Sequence, residues 1–556
     1  MTGADRGGAD AQSREPSDRV DVCVIGAGVA GSLVAHRLAE RGYDVVVLEA
    51  GPRFDPDSRE ARMARHLRPE HSELDVWEMG GPRDEYTTSG GQSYPLNRRR
   101  VKGVGGATLH WLGIAPRLHE ADFELDSRHG LGSDWPVGYS DLRPYYARAE
   151  RALGVAGSDD NPFGPPRAEP YPMPPFPPSY SDSLFAAACE QLGIATHSIP
   201  QARNSEAYDG RSPCVGYSTC TPVCPSGAKY SGDVHARKAA GAGARFVDRV
   251  PVQRLEHDDD GARIEAAAYA TPDGRTHRQQ ADQFVVACGG VETARLLLLS
   301  RSAQYPNGLA NTSGLVGRYF TEHPYVTTVA DLDEPTNQEP IGFPTSGSQQ
   351  FYGHEGSTAS VRLEFGNVDP DVPLDAALRG GDDGSARSAM LDPVLGEPWG
   401  DELFERLQGD HRLNRRIAVS ALVEQLPRAD NQITLGSETD AHGNPVPNVH
   451  WEINERDRRA LREALDVQRR IVDELGGEVV YTTDPASPGV SGHHMGTTRM
   501  GIDPTESVVD PRLRTHDLDN LSIVSSSAFV TAGAVNPTLT IAALALRAVD
   551  HLDDDL

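Results

Sequence analysis

The stretch VDVCVIGAGVAGSLVAHRLAERGYDVVVLEAG, residues 20–51, constrains the fold more than any other part of the chain. Val20 to Ile25 form a nearly continuous β-branched run, the pattern of a strand buried in a parallel sheet. Gly26, Gly28 and Gly31 follow as GxGxxG. In that pattern the first glycine allows a tight turn and the second lets backbone approach a pyrophosphate. The third lets a helix pack close to the strand. Val29, Leu33, Val34 and Leu38 suit one buried face of that helix, whose first N–H groups are free to meet phosphate. A second apolar strand ends in Glu49, eighteen residues past Gly31, where an acid accepts ribose hydroxyls. Strand, turn, helix, strand and acid in this order predict a dinucleotide site with Gly26, Gly28, Gly31 and Glu49 as contacts.

A chain of 556 residues exceeds the size at which one core stops growing, so two or more domains are expected. Apolar runs such as FVVAC and LTIAALAL are too short to span a bilayer. The polar, acidic, glycine-rich residues 1–17 read as a disordered tail and not as a signal peptide. The expected location is cytoplasmic, or membrane-associated only through partner subunits.

Charge excludes another class. The chain has 81 acidic and 53 basic residues, a net −28, and only three lysines, Lys102, Lys229 and Lys238. Nucleic-acid binding needs a basic stripe and is disfavoured. An acidic surface of this kind resembles proteins adapted to high salt, where screening relieves self-repulsion.

A second nucleotide half is expected at 243–302, where a strand and a β-rich meander containing Val252 lead to an apolar strand and helix. This insertion returning to the same sheet favours FAD over a nicotinamide held alone, with Val252 as a cofactor contact. Cys23, Cys189 and Cys288 are scattered and read as small hydrophobes. Cys214, Cys220 and Cys224 cluster within eleven residues, the last followed by Pro225. Cysteine followed by proline in such a loop is typical of iron–sulfur ligation. Three thiols match a three-iron cluster, zinc with an outside ligand, or reduced thiols that merely pack.

SGHHMGTTRMG, residues 491–501, sets two histidines side by side. An imidazole can take a proton from an alcohol, or the two rings can belong to an inert surface turn. Asn536-Pro537 looks like the start of the helix TLTIAALALRAVDHL. That helix would aim its positive end at a flavin edge where reduction places negative charge. In GVGGATLHWLG, Gly105 and Gly106 allow backbone to approach a flavin ring, and His110 follows in an aromatic pair.

With these motifs, CGGVETARLLLLS, LVGRYFTEHP and VNPTLTIAALALRAVDHL in order, the chain resembles glucose–methanol–choline (GMC) oxidoreductases. It is most similar to their gluconate, fructose and glucose dehydrogenase flavoprotein subunits. The resemblance covers nearly the whole length. It implies an α/β fold with a two-dinucleotide-type, Rossmann-like FAD domain and a discontinuous α+β substrate domain. It also implies an FAD-dependent dehydrogenase that oxidises a CH–OH group of a sugar, polyol or sugar acid and passes electrons to a non-oxygen acceptor. His493, three residues before Gly496, matches the family's base; Asn536 matches its partner, with His494 as a further donor or substrate contact. Pro537 is expected at the flavin edge. His110 matches a histidine that bonds flavin covalently in pyranose oxidases, although simple packing and non-covalent FAD are the expectation. The resembled subunits carry a 3Fe-4S cluster in the loop matching Cys214, Cys220 and Cys224, and work beside a small subunit and a membrane cytochrome. IVSSSAFVTAG departs from the family pattern, in which many members carry an Asp near its first serine.

The FAD domain is assigned to 18–125, 205–330 and 485–556, and the substrate domain to 126–204 and 331–484. NQITL and VHWEI read as strands about a Gly-Asn-Pro turn, followed by an amphipathic helix after Asn454. Segment 345–400 is read as a lid or an insertion. Competing readings are an oxygen-using oxidase, a flavin-dependent reductase of isoprenoid lipids, and a lyase with structural FAD.

Overall fold

Val20–Ile25 forms the predicted buried strand, at the centre of a parallel sheet. In the computed structural model, which describes residues 14–68, 71–336, 341–354, 358–366 and 415–556, it lies between Val45–Leu48 and Thr276–Val286. Val24 stands opposite Val47 on one side and Val285 on the other. Arg245–Val247 and Leu521–Ile523 extend the two sides, again in parallel. Parallel neighbours require crossovers, and the helix Val29–Glu40 supplies the first. It packs against the helices Asp233–Gly241 and Thr538–Asp555. The expected meander is present: Val252–His257 and Ile264–Ala270 pair antiparallel, and the latter pairs with the first half of Thr276–Val286.

A second sheet is antiparallel, in the order Glu478–Thr482, Pro324–Asp331, Arg416–Val423, Val361–Phe365, Ser346–Ser348 and His197–Ser198. One face is covered by the amphipathic helix Glu455–Glu474, for which Thr328 Oγ1 and Gln468 Oε1 meet at 2.8 Å. Asn454 caps this helix by accepting the Asp457 N–H at 2.9 Å. The other face looks toward the first sheet across a cavity. The predicted hairpin is Gln432–Thr439 with Pro445–His450. Thr87–Ser89 joins it in parallel.

Several segments fall elsewhere than expected. The boundary at 330 lies inside Pro324–Asp331, a strand of the second sheet. Thr87–Ser89, assigned to the FAD domain, pairs with a strand assigned to the substrate domain. The chain crosses between the layers within such short segments, which composition does not mark. Residues 14–17, expected in the tail, are held: Tyr269 Oη donates to Arg14 O at 2.7 Å and Ser17 N to Gln279 Oε1 at 2.9 Å. Within the expected lid, Ser346–Ser348 and Val361–Phe365 are strands of the second sheet; 355–357 and 367–400 lie outside the described residues. The C-terminal helix begins at Thr538 with Pro537 as its cap, so Asn536 does not cap it. No helix among the described residues is long and apolar enough to cross a membrane.

Candidate active site

The glycine turn behaves as its spacing predicts. Gly26 has φ +99°, and a Cβ on Gly31 would stand 1.9 Å from Gly26 O, so the helix can approach only without one. A Cβ on Gly28 would meet nothing within 4 Å, since this glycine faces open space. Gly105, at φ +112°, donates its N–H to Ala27 O at 2.8 Å. That bond sets Gly106 against Gly28, where a Cβ on Gly106 would lie 2.9 Å from the Gly28 Cα. Glu49 closes the second strand: its Oε2 accepts the Ala27 N–H at 2.8 Å and its Oε1 the Gly51 N–H at 2.9 Å. Burial raises its pKa against those two bonds. With the Ala50 N–H also bonding the carboxylate, one lone-pair site remains for a further donor.

These residues border one cavity of about 1420 Å³ between the two sheets. That exceeds the roughly 300–1,000 Å³ of ordinary small-ligand pockets and leaves room for a dinucleotide with a substrate beside it. Gly26, Gly28, Glu49, Gly106, His110, Val252, His493, His494, Asn536 and Pro537 all line it. Gly31 and Gly105 stand behind the wall and shape it. The N-terminus of the helix Thr538–Asp555 reaches the wall at Pro537 and Thr538.

At the C-terminal side of the cavity the donors form a directional chain. Arg362 Nη2 donates to Asn536 Oδ1 at 2.8 Å, which turns the Asn536 amide nitrogen toward His493. Asn536 Nδ2 stands 3.2 Å from His493 Nε2 and must donate, so that ring nitrogen carries the lone pair. The proton of neutral His493 then sits on Nδ1, 2.8 Å from His323 Nδ1, which accepts it. Burial, the neighbouring His323 and the Arg362 charge push the His493 pKa well below 6.5, so the lone pair is kept at neutral pH. Burial and Arg362 likewise hold His323 at about 4.

Glu322 holds the histidine loop. Its Oε1 accepts the backbone N–H groups of His493 at 2.9 Å and His323 at 2.8 Å. Its Oε2 accepts Gly492 N–H at 2.9 Å and the Tyr94 hydroxyl. Burial raises the Glu322 pKa while these donors pull it back.

His494 has a different setting. Its ring packs on Tyr94 and Phe320, with centroids 5.7 and 5.9 Å away. Its carbonyl accepts Ser526 Oγ at 2.6 Å. Burial and the Arg100 charge lower its pKa to about 3. Its Nε2 is buried with no partner among the described residues, a polar atom awaiting a ligand. His110 is likewise held at about 3, by burial and the Lys229 charge, and its neighbour Trp111 donates to Tyr230 O at 2.8 Å. In the stretch IVSSSAFVTAG, Ser525 and Ser526 line the cavity, and Ser525 caps a short 3₁₀ turn.

Glu322, His323, Arg362 and Tyr94 were not singled out by the sequence. Glu322 and His323 stand inside the quoted motif LVGRYFTEHP, which was the available signal. Arg362 had none.

Burial raises the Cys220 pKa, and Cys224 and Cys214 stand close enough to add to it. Cys220 Sγ is buried 3.7 Å from Ile341 O, and Cys224 Sγ lies 3.6 Å from Ser226 Oγ. Against burial, the Lys229 N–H and ammonium lower the Cys224 pKa. Lys229 Nζ is spent on three carbonyls, including Cys220 O at 2.7 Å. Among the described residues no group of three or more His, Cys, Asp or Glu side chains is placed to hold a metal ion. Cys214, Cys220 and Cys224 thus form no preformed metal site among the described residues.

The chain belongs to the GMC oxidoreductase family: residues 427–545 match the family model "GMC oxidoreductase" and residues 21–155 that of "FAD dependent oxidoreductase". It is 35% identical to the fructose dehydrogenase large subunit of Gluconobacter japonicus, over 96% of this chain and 98% of that one. It is 31% identical to the paromamine 6'-oxidase of Streptomyces fradiae, over 98% and 94%. Among solved structures it resembles pyridoxine 4-oxidase from Mesorbium loti, with TM-score 0.63, 18% identity and 96% and 99% coverage. It is thus an FAD-dependent oxidoreductase with the expected α/β architecture. The open face of Gly28, the Glu49 carboxylate and the unpaired His494 Nε2 suit the residues around the cavity to FAD.

Proposed function

We propose that the protein oxidises a CH–OH group of a sugar, polyol or sugar acid, with His493 as the base, and passes the electrons to an acceptor other than oxygen. The observation that carries this reading is the chain Arg362–Asn536–His493–His323, which presents a lone pair at His493 Nε2 inside the cavity. FAD, when bound, supplies the two-electron acceptor that takes a hydride from the carbinol carbon. His493 Nε2 takes the hydroxyl proton, and the C–O bond becomes C=O. When substrate enters, the Asn536 amide, held by Arg362, exchanges its bond to His493 Nε2 for one to the substrate oxygen, which frees that lone pair for the hydroxyl proton. Burial and the Arg362 charge keep the imidazole neutral before substrate arrives.

Support for a sugar or polyol comes from the relative named as a fructose dehydrogenase. That relative is named a large subunit, which supports a partner subunit as the route for electrons. The second reading, an oxidase, is favoured by the relative named paromamine 6'-oxidase. An anaerobic screen of aldoses, ketoses, polyols and sugar acids against flavin absorbance tests the proposal. Bleaching without oxygen supports alcohol oxidation, and slow reoxidation on admitting air supports a non-oxygen acceptor. Rapid peroxide formation would favour the oxidase reading.

A further inference from the structure

We propose that Glu364, Ser420 and Thr327 form a subsite for the non-reacting hydroxyls of the substrate, selecting polyhydroxy compounds that carry no acid group. This rests on the reading of the site as an alcohol-oxidising centre and names which alcohols it takes.

The three residues are cross-strand neighbours in the second sheet: Glu364 stands opposite Ser420, and Ser420 opposite Thr327. All three line the cavity, with Tyr325 and Leu422 in the next row. Side chains alternate along a strand, so Val326 and Thr328 face the opposite side, toward the helix Glu455–Glu474. A sheet face bordering an apolar ligand would carry apolar side chains. This row carries a carboxylate and two hydroxyls instead, and buried polar groups need partners.

The bonds already made leave capacity for a ligand. Thr327 Oγ1 and Ser420 Oγ bond each other at 2.8 Å, which spends one O–H and leaves the other O–H and several lone pairs. Thr483 Oγ1 accepts the Thr327 N–H at 3.0 Å and extends the row. Glu364 Oε1 pairs with Arg362, while Oε2 has no bond among the described residues. A carboxylate oxygen next to a hydroxyl pair can receive two vicinal hydroxyls of a sugar or polyol. It repels a substrate carboxylate at the same place.

Arg362 offsets part of that charge, but neither its Nη2 nor its Nε is free to offer a substrate acid a donor. Its Nη2 is committed to Glu364 and Asn536, and its Nε donates to Ala534 O at 3.2 Å. Drawing it toward a substrate acid would release the Asn536 amide from its orientation. The same pair thus ties recognition of the remote hydroxyls to the geometry at His493.

The test is anaerobic stopped-flow reduction of the FAD-loaded protein by fructose, sorbitol, gluconate and 1-propanol, at several concentrations of each. The neutral polyhydroxy compounds should reduce flavin at least about 100-fold more efficiently than gluconate or 1-propanol. Ser420→Ala should raise their apparent KM about tenfold with a smaller change in limiting rate. Glu364→Gln should narrow the preference over gluconate by at least about tenfold. Gluconate reacting as well as its neutral counterparts would overturn the subsite, as would both variants keeping the full preference. Reduction by 1-propanol as readily as by sugars would overturn the subsite alone. Failure of every alcohol to reduce the flavin would overturn the alcohol-oxidising reading and the subsite with it.

Discussion

His493 Nδ1 and His323 Nδ1 stand 2.8 Å apart, so one ring must donate and the other accept. The Asn536 contact at 3.2 Å from the opposite ring nitrogen decides which. His493 is held as the tautomer with Nε2 unprotonated. His323→Ala, which removes the acceptor of the Nδ1 proton and leaves only the Asn536 contact to hold the tautomer, should slow flavin reduction about tenfold while substrate still binds. An unchanged limiting rate in anaerobic stopped flow would remove His323 from this role.

Arg362 acts on His493 through Asn536 and through its charge. Arg362 lowers the His493 pKa, and without that cation the imidazole holds its proton to higher pH. The acid limb of flavin reduction in the native enzyme should therefore fall below pH 6.5. Arg362→Gln should shift that limb upward and lower the plateau. A plateau loss with the limb unmoved would mean that only the hydrogen bond matters.

Buried histidines also set the pH dependence of stability. His110, His119, His323 and His494 are held at about 3, 4, 4 and 3, each mainly by burial. Between these values and about 6.5 the unfolded chain binds protons that the folded chain does not. Stability is then full above about pH 6.5 and falls as pH drops, by up to about 1.4 kcal/mol per pH unit for each ring. Asp122, raised to about 7 by burial, works in the opposite direction. The rings outnumber it, so urea midpoints should be lower at about pH 5 than at about pH 7. Equal midpoints would show that the histidines titrate normally.

The net charge of −28 predicts a salt response. Raising KCl from about 0.1 M to about 1 M shortens the screening length from about 10 to about 3 Å and should raise the melting temperature. A falling melting temperature would place more weight on the ion pairs than on overall repulsion.

The first sheet was legible because its information is local. Gly26, Gly28 and Gly31 each meet a steric demand within a few residues, and the apolar run Val20–Ile25 reports burial on both faces. His493 and Asn536 were legible through their motifs, and they do meet across 43 positions of chain. Arg362 was not, because its meaning depends on a partner 174 residues away. The boundary placed at 330 cuts a strand for a related reason: strand Pro324–Asp331 follows directly on the segment holding Glu322 and His323, and the chain changes sheet without a linker. The cysteine spacing suggested a cluster, but spacing does not report where each sulfur turns, and no preformed metal site arises there among the described residues.

The most direct measurement compares anaerobic flavin reduction by a sugar or polyol deuterated at the reacting carbon in the native protein and in His493→Ala. The account predicts bleaching by substrate, slowed severalfold by deuterium, in the native protein. In His493→Ala it predicts retained FAD and reduction slowed by at least about 100-fold. Equal reduction rates in the two proteins, or no isotope effect on a bleaching step shown to be chemical, would contradict it.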